Sequence, residues 1–174
     1  VYAKRYFPKR KKPIERYKRS DAVREYIGSS VIAGLGITQA EPVFAATIRG
    51  KCGNVKCGVY IMREILNATA FDTILEKMKQ EPNQQLLDEI MKQVFAILDK
   101  LHGAKRCHWD FKPRNLLISQ SDSRLEVVPI DCRSLKRIYF FNRRHLISRD
   151  YRFLKRESLL SKFIENKLQN GKRH

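Results

Sequence analysis

The sequence predicts a mixed α+β fold in two parts, a small sheet carrying one helix followed by a helical portion with a β-hairpin inserted in it. Three observations predict it. Strand-like runs cluster in the first third, at Val1–Tyr6, Pro42–Ile48 and Gly58–Leu66. The clearest apolar stripe at helical spacing comes next: Leu87, Ile90, Met91, Val94, Ile97, Leu98 and Leu101. Two short β runs, Leu116–Ser119 and Leu125–Ile130, then flank a polar turn at Gln120–Ser123.

Each element has a local cause. Val1–Tyr6 alternates, and the Pro- and Lys-rich loop from Pro8 to Pro13 ends it because neither strand nor helix continues easily there. Ser20 is a good N-cap for a helix to about Ala33, with Val23, Ile27 and Val31 on one face and Gly34 and Gly36 as stops. The next two strands are joined by a turn at Gly53-Asn54, across which Cys52 and Cys57 are expected to face each other. Phe71, Ile74, Leu75 and Met78 mark a helix that Glu81-Pro82-Asn83 breaks, and the long helix ends at His102-Gly103. Phe153, Leu160, Phe163, Ile164 and Leu168 indicate an amphipathic tail. The composition shift puts the boundary between residues 1–66 and 67–174.

Bulk numbers limit the function classes. The chain has 174 residues, 43% hydrophobic and 31% charged, enough for one domain or two small lobes. No apolar run reaches the roughly 18 residues that span a bilayer, and the start is strand-like and then basic, unlike a signal peptide. The first residue is not Met. Four cysteines (Cys52, Cys57, Cys107, Cys132) match no common zinc or disulfide spacing, so reduced thiols are expected. The net charge of +18, from 36 Lys+Arg against 18 Asp+Glu, points to an anionic partner: nucleic acid, an anionic membrane face or a polyanionic substrate. Its clusters run from Lys9 to Arg19 and from Arg133 to Arg156. No zinc finger, basic zipper or aromatic–basic RNA-binding pattern occurs, which argues against nucleic acid.

Between the long helix and the hairpin stands His108-Trp109-Asp110-Phe111-Lys112-Pro113-Arg114-Asn115. This resembles the catalytic loop of protein kinases and their relatives, with His, Asp, Lys, Pro and Asn at the family's spacing. Phosphoryl transfer asks a protein to align a hydroxyl with the γ-phosphate of ATP and to neutralise moving charge. The resemblance implies that Asp110 orients the hydroxyl and accepts its proton, Lys112 meets the γ-phosphate, and Asn115 offers Mg²⁺ an amide oxygen. His108 is the structural member. Asp131, ending the apolar run Val127–Ile130, resembles the metal-binding aspartate of the same enzymes; a hard ion such as Mg²⁺ wants anionic oxygen. Cys132 and Arg133 stand where protein kinases carry Phe and Gly.

Further resemblances place the nucleotide. Tyr2-Ala3-Lys4-Arg5 is similar to the strand whose Lys holds the α- and β-phosphates, which implies a pair between Lys4 and Glu25 on the first helix. Ile61–Leu66 would lead into the hinge, with backbone groups of Glu64 and Leu66 on adenine. On this reading the Gly-rich loop and first strands belong before Val1 and are absent from the sequence. The expected architecture is a protein-kinase-like two-lobe fold with a truncated N-lobe and a short helical C-lobe.

The family with the closest resemblance is that of the bacterial lipopolysaccharide core kinases, which phosphorylate Kdo or heptose. It is carried by Tyr2-Ala3-Lys4-Arg5-Tyr6, Arg24-Glu25, Gly36-Ile37 leading to Glu41-Pro42, Arg63-Glu64-Ile65-Leu66, and Ile130-Asp131-Cys132-Arg133 followed by Arg149-Asp150. Trp109 stands where that family usually has Gly, and Phe111–Arg114 is more like a protein kinase. The resemblance implies ATP and Mg²⁺ as cofactors, lipopolysaccharide core as acceptor, and a cytoplasmic protein in peripheral contact with the anionic inner membrane. Two alternatives stand beside it: an atypical protein or small-molecule kinase, and a non-catalytic kinase-fold module that binds anionic surfaces.

Overall fold

The computed structural model describes residues 1–8, 18–121 and 124–170. Most of the first basic cluster, 9–17, and part of the predicted polar turn, 122–123, therefore lie outside the described residues. Two compact units divide the chain, one of Val1–Leu66 with Ile130–Ser134, the other of Asn67–Pro129 with Leu135–His174.

The first unit is a three-stranded antiparallel sheet with one helix. Strands β1 (Tyr2–Tyr6), β2 (Pro42–Arg49) and β3 (Val55–Met62) lie in the order β1-β3-β2, with Lys4 opposite Tyr60. Helix α1 (Asp21–Gly34) starts at Ser20, whose Oγ accepts from the Val23 N–H at 3.3 Å and is 2.6 Å from Thr47 Oγ1. It ends at Leu35, with Gly36 at φ 65°. Ala22, Ala40, Tyr60 and Met62 form the buried core, packed by Tyr6, Ala45 and Ile65.

Helix α1 does not bury the face its apolar residues mark. Ala22, Glu25, Gly28, Ser29 and Ile32 are inside, while Ile27 is 39% exposed. Small residues let the helix approach backbone closely, and closeness here outweighs hydrophobicity. A Cβ on Gly28 would sit 2.1 Å from the Cys132 carbonyl oxygen, so the turn Cys132–Ser134 rests directly on the helix. Gly28→Ala is expected to destabilise the protein by about 1–3 kcal/mol, the usual range for overpacking that only backbone movement relieves. Urea unfolding would read this; a wild-type midpoint would show that the turn moves aside freely.

The cysteine expectation is also corrected. Cys57 lies in β3 opposite Ile48, whereas Cys52 sits in the turn, which Gly50 N–H closes on Asn54 O at 2.8 Å with Gly53 at φ 73°. The two do not oppose each other because the loop is longer than a two-residue hairpin.

The second unit begins with β4 (Ala68–Ala70) and α2 (Phe71–Gln80), then α3 (Gln84–Gly103), which Asn83 caps by accepting from Leu86 N–H at 3.0 Å. All seven residues of the α3 stripe are buried. Strands β6 (Leu116–Ser121) and β7 (Arg124–Pro129) form the hairpin, and β4 adds to it in the order β4-β6-β7. Gln93 fastens the hairpin to α3: its Nε2 donates to Leu125 O at 2.7 Å and its Oε1 accepts from Val127 N–H at 3.0 Å. Two-residue strands β5 (Arg106–Cys107) and β8 (Lys136–Arg137) pair antiparallel. Helices α4 (Arg143–Leu154) and α5 (Ser158–Asn170) complete the unit, burying Leu146, Tyr151, Leu154, Leu160 and Ile164. Among the described residues, no helix is long and apolar enough to cross a membrane.

Candidate active site

In the second unit, the loop after β5 brings three of the expected residues together. Lys112 Nζ is 2.7 Å from Asp110 Oδ2. Asn115 Nδ2 donates to Asp110 O at 2.9 Å and to Asp110 Oδ2 at 3.2 Å. A short 3-10 turn, Pro113–Asn115, sets this spacing, with Asn115 N–H on Lys112 O at 2.8 Å. Because the amide nitrogen faces Asp110, the amide oxygen is on the other edge of the group, where it can serve as an acceptor or metal donor. His108 and Phe111 lie beneath, both fully buried and edge-to-face at 5.5 Å.

Burial alone would raise the Asp110 carboxyl. Lys112, by hydrogen bond and by charge, together with the Asn115 amide, outweighs burial and holds it below the ordinary aspartate range. A lowered folded pKa means that the stability from this pair is present above the unfolded value and is lost as pH falls through the folded one. Lys112→Met is therefore expected to move the Asp110 titration upward, read by carbon NMR of the carboxyl. An unmoved titration would mean that Lys112 does not set the charge of Asp110.

The loop is held from behind by a residue the sequence reading did not single out for a role. Asp150, fully buried on α4, accepts from His108 N–H at 3.2 Å, Trp109 N–H at 2.9 Å and Cys107 Sγ at 3.3 Å. His102 Nε2 is 3.0 Å from Oδ2, the oxygen that also accepts from His108 N–H. Burial pushes the Cys107 thiol up to about 12, with the Asp150 charge adding to it. One carboxylate thus fixes the backbone just ahead of Asp110.

Trp109 adopts φ 67°, a left-handed conformation in which glycine costs least. The structure holds an indole there instead: Lys136 Nζ is 3.3 Å and Arg149 Cζ 3.7 Å from the ring centroid, and Arg149 Nε donates to Trp109 O at 3.3 Å. Cations stacked on the ring offset the backbone strain.

In the first unit, Glu25 and Asp131 belong to one small network. Glu25 Oε1 accepts from Cys132 N–H and Oε2 from Arg133 N–H, each at 2.9 Å. Asp131 has φ 58°, and Arg133 Nε is 2.9 Å from its Oδ1. Arg133 also reaches Asp21 at 3.4 Å and lies over the Tyr6 ring at 5.4 Å. Burial raises the Glu25 carboxyl above the ordinary range; Lys4 and the two N–H donors pull it down without cancelling this, and Asp131 pushes the same way as burial.

The expected Lys4–Glu25 ion pair takes a different form. Lys4 acts on Glu25 through its charge, but no ion pair between them within 4.0 Å occurs among the described residues. Both Glu25 oxygens instead accept from the amides of Cys132 and Arg133. Glu64 and Leu66 follow β3 in irregular chain, both side chains exposed, beside an Arg63–Glu41 ion pair of 2.6 Å. No cluster of three or more His, Cys, Asp or Glu side chains that could hold a metal occurs among the described residues. The oxygens of Asn115 and Asp131 are nonetheless of the hard kind that suits Mg²⁺.

The family model of the lipopolysaccharide kinase (Kdo/WaaP) family matches residues 15–172. Among solved structures, one described as WaaP in complex with acyl carrier protein is similar in fold, with a TM-score of 0.57 at 14% identity over 86% of this chain and 76% of that one. At that identity the likeness carries the kinase-like α+β fold alone. No curated protein matches the chain.

Proposed function

This chain belongs to the lipopolysaccharide kinase (Kdo/WaaP) family, and on that premise we propose that it transfers the γ-phosphate of ATP to a sugar hydroxyl of the lipopolysaccharide inner core, Kdo or heptose. It is a kinase, and the kinase family implies ATP as donor. The observation that carries the reading is the Asp110–Lys112–Asn115 cluster, with Asp110 held ionised by its neighbour.

Each residue has a separable task. Asp110 accepts a hydrogen bond from the acceptor hydroxyl and takes its proton as transfer proceeds. Lys112, whose ammonium neutralises Asp110 in the free enzyme, supplies positive charge to the phosphoryl group. Lys4 supplies a second cation for phosphate, while Glu25 fixes the Cys132–Arg133 backbone and through it the conformation of Asp131. Glu64 and Leu66 offer backbone groups for adenine. Mg²⁺, when bound, would neutralise phosphate charge, with Asn115 and Asp131 as its protein oxygens.

The proposed division is 1–66 as the nucleotide-handling lobe and 67–174 as the lobe with the catalytic loop. The charge of +18 suits an anionic glycolipid and peripheral contact with an anionic membrane face. The acceptor test uses full-length protein, ATP and truncated cores that present Kdo alone or Kdo with heptose, the product located by phosphorus NMR. Phosphate on one of these sugars is the expected outcome. Phosphate only on a peptide or on a small free sugar would favour the atypical-kinase alternative.

A further inference from the structure

Two of the three most exposed large apolar residues of the described chain stand side by side. Phe140 is 99% exposed and Phe141 85%, next to Tyr139 at 51%. Rings so exposed make a protrusion, with Phe140 also bordering the cleft at its base. It is nevertheless ordered locally. Tyr139 and Phe141 stack at 5.7 Å with planes 6° apart, and Asn142 closes the turn by accepting from Tyr139 N–H at 2.8 Å. Its root is fixed too: Ile138 is buried, and its N–H donates to Lys105 O at 2.7 Å.

A basic collar surrounds the tip. Between Leu135 and Arg149 the chain has five Lys and Arg and no Asp or Glu. Arg137, Arg143, Arg144 and Lys105 are all exposed. At the base of the tip, a cleft of about 410 Å³ is lined by Lys105, Arg137, Tyr139, Phe140 and Arg143 among others. Three cations around an apolar-sided cleft match an anionic headgroup whose acyl chains lie against the rings.

We propose that Tyr139-Phe140-Phe141 is a membrane-inserting tip, and that Lys105, Arg137, Arg143 and Arg144 hold it on an anionic phospholipid surface. The choice of a bilayer over a protein partner rests on the lipid-linked acceptor of the proposed function. Size favours it as well. Three rings offer on the order of 400 Å², below the roughly 800 Å² per partner of a stable protein interface. Shallow aromatic insertion with basic residues at headgroup level is, by contrast, enough for reversible interfacial binding. Consecutive exposed aromatic rings rimmed by charge are otherwise a liability for a water-facing surface.

The test uses full-length protein and vesicles of equal parts phosphatidylcholine and phosphatidylglycerol, without ATP or acceptor. Phe140→Ser with Phe141→Ser is expected to lower vesicle partition by roughly tenfold or more. Arg143→Glu with Arg144→Glu should do the same and remove the salt dependence. Transfer to a soluble, deacylated core should stay at the wild-type rate in both, which separates this proposal from the kinase reading. Phe140→Trp adds a direct reporter, whose emission should shift to the blue on vesicles. Vesicle binding of the Phe140/Phe141 variant equal to wild type would overturn the tip and leave the kinase reading standing. So would a wild type that ignores vesicles but loses a soluble acidic protein partner when the tip is changed. Absent core phosphorylation with tip-dependent vesicle binding would sink the acceptor and keep the tip.

Discussion

Asp110→Asn is expected to lower kcat by about 10²–10⁴-fold, the range for loss of a positioned general base, with folding intact. The substitution keeps shape and one acceptor oxygen, so the contact to Asn115 is retained in part while the proton acceptor is gone. Lys112 then faces a neutral amide where it had a carboxylate at 2.7 Å. That pair is partly exposed, so its loss weighs little on stability. Turnover and thermal melting measured on one preparation would separate chemistry from folding. Near-normal turnover would remove Asp110 from the mechanism.

Asp150→Ala is expected to cost about 3–5 kcal/mol in stability, the scale for leaving several buried donors without their acceptor. His108 N–H, Trp109 N–H and the Cys107 thiol all point at this carboxylate, and solvent does not reach it to replace them. Asp150→Asn retains volume and one oxygen, and should lose less stability but still disorder the approach to Asp110. Urea unfolding and kcat on both variants give the test. A melting curve like that of wild type for Asp150→Ala would mean that the loop holds itself.

How much of this was legible in the sequence depends on the kind of force involved. The α3 stripe announces itself because every third or fourth residue is large and apolar, and all seven of its residues are buried. Ser20 was legible as a cap because the interaction is local, three residues from Val23. The buried face of α1 was not, since close approach through Gly28 and Ser29 has no hydrophobic signature. Asp150 was visible only as part of Arg149-Asp150: its partners lie 41 to 48 residues away and two of the four are backbone amides, which no side-chain pattern marks. Glu25 was picked out for a charge partner, whereas its oxygens turn to two amides more than a hundred residues away. The Asp110–Asn115 loop stood out because phosphoryl transfer restricts both residue types and spacing, and a 3-10 turn realises that spacing.

The most direct measurement is transfer of labelled γ-phosphate from ATP, by the full-length protein, onto deacylated lipopolysaccharide core, with Asp110→Asn run in parallel. The account predicts label on the core sugar with wild type and little above background with the variant. Label on the core from both proteins alike, or none on the core while a peptide is labelled, would contradict it.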